Sequence, residues 1–144
     1  LWDLAERYAP KLRDTIVMET GGMKGRRREM PREEFHRMLC AVFSVPSIHS
    51  EYGMAELMSQ AYSQGDGLFR TPPWMRVLTR DLNDPFAWAG SGRSGGINVI
   101  DLANVYSCSF LQTQDFGKAY DDGTFRIEGR ITGSEIRGCN LLVQ

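Results

Sequence analysis

Histidine, cysteine and long apolar runs are what this sequence has least of. Its two histidines, His36 and His49, lie in no His-Glu-x-x-His or Cys-x-x-Cys setting, so spacing alone defends no metal centre. Cys40, Cys108 and Cys139 are odd in number and far apart, which argues against a disulfide framework or a zinc knuckle and for free thiols in a reducing cytoplasm. No apolar run approaches the roughly 18 residues of a membrane span. Nothing at the N-terminus reads as a signal peptide. An excess of one charge is also missing. The 17 Lys and Arg against 18 Asp and Glu leave a net charge of −1, without the basic field of a nucleic-acid binder. Internal repeats and low-complexity linkers are absent. At 144 residues, 42% hydrophobic and 24% charged, the composition is globular and sufficient for one domain with its own core. The chain opens on Leu rather than Met, which points to a piece of something longer.

What is present changes texture along the chain. Leu1, Leu4, Ala5 and Tyr8 recur at helical spacing, predicting a short amphipathic helix that ends near Pro10. Residues 15–19 form a β-rich run that stops at Thr20-Gly21-Gly22, as in one half of an α/β crossover. Pro31 opens the best helix, continued by Phe35, Met38, Leu39, Val42 and Phe43 and closed by Pro46; residues 47–51 then return as a strand. Beyond about residue 65 glycine becomes frequent and short β-rich pieces recur at 75–79, 97–100, 110–112, 124–128 and 135–143. The expected fold is therefore α/β: the end of a doubly wound sheet in residues 1–64, then a small antiparallel β-rich subdomain in residues 65–144.

Several motifs have a plain reading beside a functional one. Lys24, Arg26, Arg27, Arg28 and Arg32 read first as a solvated basic loop, and alternatively as phosphate contacts beside the Gly21-Gly22 turn. Gly90-Ser91-Gly92-Arg93-Ser94-Gly95 spells a dinucleotide fingerprint but precedes a strand instead of a helix, so it is read as a turn. His36 is expected on the helix surface, while His49 is left open. Tyr52-Gly53 is a turn after a strand, with Glu56 three residues beyond the glycine. That could bring an aromatic face and a metal-binding oxygen to the C-terminal edge of a parallel sheet, where ligands of α/β folds bind. Asp115, in Thr113-Gln114-Asp115-Phe116-Gly117, is expected at a strand end, either capping a turn or accepting hydrogen bonds from a vicinal diol.

The order Thr20-Gly21-Gly22, Tyr52-Gly53-Met54-Ala55-Glu56, Gln114-Asp115 and Gly129-Arg130 resembles the adenylate-forming superfamily of acyl-CoA synthetases, phenylacetate-CoA ligases and relatives. Gly95 to Val99 is similar to that family's turn and strand between the second and third motifs. Residues 50–57 and the ending Gly129-Arg130…Ser134-Glu135-x-Arg137-Gly138-Cys139-Asn140 resemble the acyl-protein synthetase branch. The likeness covers nearly the whole chain and corresponds to the C-terminal part of such an enzyme.

The resemblance implies ATP as cosubstrate with Mg²⁺, a fatty acid or other carboxylic acid as substrate, and an acyl reductase as partner. By the same likeness Gly21, Gly22 and Tyr52 would line the adenine, with Tyr52 stacked on it. Glu56 would bind Mg²⁺, Asp115 and Arg130 would hold the ribose hydroxyls, and Cys139 would receive the acyl group as a thioester. The chain departs from the family pattern in several places. Ala55 stands for a phosphate-contacting Thr, Gln114 for Gly, and Gly133 for an acidic hinge residue. The Ser/Thr/Gly-rich phosphate loop and the C-terminal lid with its lysine have no counterpart, so the fragment alone is expected to be inactive. The alternatives are a phenylacetate-type CoA ligase fragment, in which Cys139 is a small buried residue, and a non-catalytic fragment that binds nucleotide or partner. Unpaired edges at residues 15–19 and 47–51 are expected to favour a homo-oligomer.

Overall fold

Both predicted helices form, and each stops for a local reason. In the computed structural model, which describes residues 1–21, 30–84 and 86–131, α1 (Trp2–Tyr8) ends at Ala9 in the left-handed conformation just before Pro10. Helix α2 (Arg32–Phe43) carries Glu33 and Glu34 in its first turn, where they complement the helix dipole, and ends at left-handed Ser44. Pro31 sits one residue outside the helix, at its cap, not within the first turn.

Strands β1 (Val17–Glu19) and β2 (Ile48–Tyr52) are joined through α2 and pair in parallel, Val17 opposite Ile48 and Glu19 opposite Ser50. Alternation along a strand turns Val17, Glu19, Ile48 and Ser50 to one face. There Val17 and Ile48 pack with Ala5, Leu39, Phe43 and Val45 in a first apolar core.

The other strands are β3 (Ala61–Ser63), β4 (Phe69–Arg70), β5 (Met75–Arg80), β6 (Ser94–Asp101), β7 (Phe110–Ala119) and β8 (Thr124–Arg130). One eight-stranded sheet results, in the order β1-β2-β3-β4-β8-β7-β6-β5, antiparallel everywhere beyond the first pair. A mixed α/β sheet with few helices matches the expected fold class. The two ends are stitched through β3 and β4 by a single residue pair, Tyr62 with Arg70. A second core, built on Phe69, Phe125, Ile97, Val99, Val77 and Met75, lies under the antiparallel strands.

Three expectations need correction. β2 is not an edge, because β1 and β3 flank it; among the described residues only β1, of those two strands, has an open side. The piece expected at 110–112 is a ten-residue strand, extended because Gly117 lets β8 approach: a Cβ there would overlap the backbone carbonyl of Arg126. Asp115 therefore lies within β7 rather than at its end. The strand expected at 135–143 lies outside the described residues.

Buried Asp101 ends β6 and organises the loops around it. Its carboxylate accepts from Met58 N (3.0 Å), Ser59 N (2.8 Å), Ser59 Oγ (2.8 Å) and Ala103 N (3.1 Å), and Ser59 Oγ also accepts from Trp74 Nε1 at 2.9 Å. Burial acts to raise the Asp101 pKa, but these donors outweigh it and hold the carboxyl below its ordinary value. Among the described residues no helix is long and apolar enough to cross a membrane.

Candidate functional site

Three of the expected site residues meet, each from a different strand. Tyr52 closes β2, Asp115 sits in β7, and Arg130 ends β8 directly opposite Asp115. The Tyr52 hydroxyl donates to Asp115 Oδ2 at 2.8 Å across 63 positions of sequence, and Arg130 Nε stands 3.6 Å from Asp115 Oδ1. Arg130 Nη2 also points to Gln114 Oε1 at 3.4 Å, so the departure at Gln114 supplies a second acceptor for the same guanidinium.

The Tyr52 ring packs edge-on against Phe125, with centroids 5.2 Å apart, and tilted against Phe69 at 5.9 Å. Burial, followed by the charge of Asp115 and its hydrogen bond, pushes the phenol pKa far above its usual range. Tyr52 therefore stays a donor at any physiological pH. A carboxylate has about four acceptor positions, so Asp115 keeps capacity for hydroxyl donors after Tyr52 is served.

The site motif is itself a bulge. β6 and β7 pair Gly96 with Phe116 and then Asn98 with Gln112, so Thr113, Gln114 and Asp115 all stand against Ile97. Extra residues on one strand bend it and re-aim its side chains. Thr113 Oγ1 donates to Ile97 O at 2.9 Å and accepts from Asp115 N at 3.1 Å.

Glu56 is exposed in the turn after Tyr52, and its backbone carbonyl accepts from Asn104 Nδ2 at 2.8 Å. Among the described residues no hydrogen bond or ion pair joins its carboxylate to Tyr52, Asp115 or Arg130, and no group of three or more His, Cys, Asp or Glu forms a metal site. A magnesium ion carried by phosphates needs only one or two protein carboxylates, and a lone exposed Glu56 fits that demand and no more.

Gly21 adopts φ +123°, where a side chain would be strained, and a Cβ there would meet nothing within 4 Å. Its N–H donates to Glu19 Oε2 at 2.7 Å. Glu19 is buried, and its other oxygen accepts from Ser50 Oγ at 2.6 Å and faces His36 Nε2 at 3.4 Å and Arg32 Nε at 3.6 Å. Arg32 also lies over the Phe69 ring at 5.3 Å, which ties this cluster to the second core. His36 is therefore not a surface residue. It lies on the buried stripe with Leu39 and Phe43 and meets Glu19. The helical spacing 36, 39, 43 and the alternation 17, 19 carried the signal for this cluster, but an apolar pattern gives no weight to polar members.

Gly22 and Cys139 lie outside the described residues. Of the other thiols, Cys108 is exposed and its Sγ lies 3.2 Å from Phe110 O, while Cys40 is half-buried in α2 with its pKa raised by burial.

No family model matches the chain. It is 26% identical over 141 residues to the long-chain-fatty-acid--luciferin-component ligase of Vibrio harveyi, spanning 90% of this chain and 36% of that protein. Among solved structures, ATP-bound MatB from Rhodopseudomonas palustris superposes with a TM-score of 0.58 at 18% identity, over 80% of this chain and 25% of that one. A benzoate CoA ligase from Burkholderia xenovorans LB400 superposes with a TM-score of 0.54 at 14% identity, over 80% and 25%. The chain thus spans about a third of the length of the curated relative it matches. The resemblance read from the sequence stands, and the fold is that of part of the adenylate-forming enzymes.

Proposed function

We propose that this chain forms the ribose- and adenine-holding part of an ATP-dependent acyl-protein synthetase, which activates a fatty acid as acyl-AMP and passes the acyl group to Cys139. The observation that carries the proposal is the convergence of Tyr52, Asp115 and Arg130 from three strands into one hydrogen-bonded group. In this reading Asp115 accepts from the ribose hydroxyls, Arg130 orients that carboxylate, and Tyr52 fixes its other oxygen while offering its ring to the base. Gly21, held by Glu19, and Gly22 keep side chains away from the adenine. Mg²⁺ bound with ATP would neutralise phosphate charge, and Glu56 is the carboxylate offered to it.

The substrate carboxylate attacks the α-phosphorus and pyrophosphate leaves. The Cys139 thiolate then attacks the acyl carbonyl and AMP leaves, with Arg137 nearby in sequence to favour the thiolate. The test uses the whole gene product that contains this chain, with ATP and labelled fatty acid. Asp115→Ala should weaken pyrophosphate exchange roughly 10- to 100-fold at limiting ATP, the scale of lost hydrogen bonds to a charged group. Cys139→Ser should abolish hydroxylamine-labile acylation while exchange continues. Label retained on the Cys139→Ser protein, or found on added coenzyme A instead, would end the protein-thioester reading.

A further inference from the structure

Arg80 ends β5 with its guanidinium buried, 5% exposed, and its pKa is lowered by that desolvation. A buried cation ordinarily meets a carboxylate. Among the described residues this one meets only neutral oxygens: Nη1 donates to Ile97 O (2.9 Å) and Asn98 Oδ1 (2.7 Å), and Nη2 donates to Thr113 O (2.8 Å). Those acceptors surround the bulge at which three residues of β7 face Ile97 alone. A bulge leaves backbone carbonyls without ladder partners, and orphaned carbonyls in a sheet interior are costly. Arg80 supplies the missing donors. The room for it comes from Gly96, where any Cβ would overlap the guanidinium carbon. Ile97 O also accepts from Thr113 Oγ1, which in turn accepts from Asp115 N.

We infer that Arg80 is a positioning residue that fills the β6–β7 bulge and, through Thr113, fixes the backbone that aims Asp115 at a bound ribose. The inference rests on the ribose reading of Asp115 proposed above. Arg80 touches no reacting atom; it sets the angle from which Asp115 leaves the strand. The long guanidinium reaches two carbonyls and an amide oxygen on two strands at once, which no neutral side chain of that length could do.

Two measurements on the full chain test it. The first is amide hydrogen exchange at Asp115 without nucleotide. Arg80→Met and Thr113→Val should each raise exchange there at least tenfold while amides of β1 and β2 keep their rates, and Thr113→Ser should restore protection. The second compares binding of ATP with that of 2′,3′-dideoxy-ATP. The wild type should prefer ATP, and both variants should weaken ATP about tenfold while leaving the dideoxy analogue within twofold, collapsing the preference.

Folded variants with wild-type exchange at Asp115 would overturn the inference. So would lost protection at Asp115 with the ATP preference intact. If Arg80→Met does not fold, Arg80→Lys, which keeps the stem and the charge but not the planar fork that spans both strands, takes its place in both measurements. A wild type without preference for the ribose hydroxyls would overturn the ribose reading itself, and the exchange result would then judge Arg80 and Thr113 by themselves.

Discussion

The two ends of the sheet bury opposite charges in opposite ways. At the parallel end, Glu19 is enclosed under α2 and fed by donors: a hydroxyl, a backbone N–H, an imidazole and a guanidinium. At the antiparallel end, Arg80 is enclosed between strands and fed by acceptors alone. The parallel end is regular, with short strands in register, and its polar cluster sits where the strands stop. The antiparallel end is irregular twice, at Gly96/Asn98 and at Phe116/Gly117, and its polar cluster sits inside the irregularity. A polar group at a strand terminus can be served by loops, whereas one within a sheet requires the ladder itself to break.

The largest effect expected from this contrast is at Gly117. Gly117→Ala should destabilise the protein by roughly 3–5 kcal/mol, because the new methyl meets backbone that cannot swing aside. Gly21→Ala at the other end, with open space around it, should cost only the strain of a positive φ, about 1–2 kcal/mol. Urea midpoints of the two variants measure the difference, and equal midpoints would break the comparison.

Next comes Asp101→Asn, which sets an amide donor against donors and should cost roughly 2–4 kcal/mol at neutral pH. The folded Asp101 pKa lies below its unfolded value. Its stabilisation is therefore complete above about pH 4 and disappears as pH falls through the folded value. The wild-type acid limb should be steeper than that of Asp101→Asn, as read by thermal unfolding between neutral and low pH.

Phe43→Ala and Phe125→Ala remove side chains of equal burial from the two cores, each at about 3 kcal/mol or more. What separates them is where hydrogen exchange accelerates. Phe43→Ala should loosen β1, β2 and α2 first, and Phe125→Ala β4, β7 and β8. The smallest effect is expected at the open side of β1. Met18→Lys there should change stability by less than about 1 kcal/mol and reduce any self-association seen by light scattering, since lysine on an edge discourages strand addition.

The helices, the parallel pair and four of the six antiparallel strands were legible because apolar spacing marks the face that must be buried. β3 and β4 were not legible. Residues 61–63 and 69–70 are too short to show a period, and only their neighbours make them strands. Of the candidate site, the motif order brought out Tyr52, Asp115 and Arg130, which meet, and Glu56, which among the described residues shares no hydrogen bond or ion pair with them. The groups that hold those residues were not legible. Arg80 reads as an ordinary polar residue at the end of a strand, because spacing along one strand cannot reveal a bulge formed by two others. Glu19 and His36 failed for a related reason, since each carries a charge-bearing side chain at a position that the apolar period assigns to the interior.

The lone pairing of Tyr62 with Arg70 gives the sheet a seam, with Tyr52 on one side and Asp115 with Arg130 on the other. Across that line the ladder itself is thin, and the two sides are joined instead by side chains: Tyr52 with Asp115, Asp101 with Met58 and Ser59, and Asn104 with the Glu56 carbonyl. Any molecule gripping both Tyr52 and Asp115 becomes a rivet through that line. Its occupancy raises the free energy of opening by RT ln(1 + [L]/Kd), about 2.7 kcal/mol at a hundredfold excess over Kd. Ligation would then register mechanically, as added stiffness between the two sides of the seam.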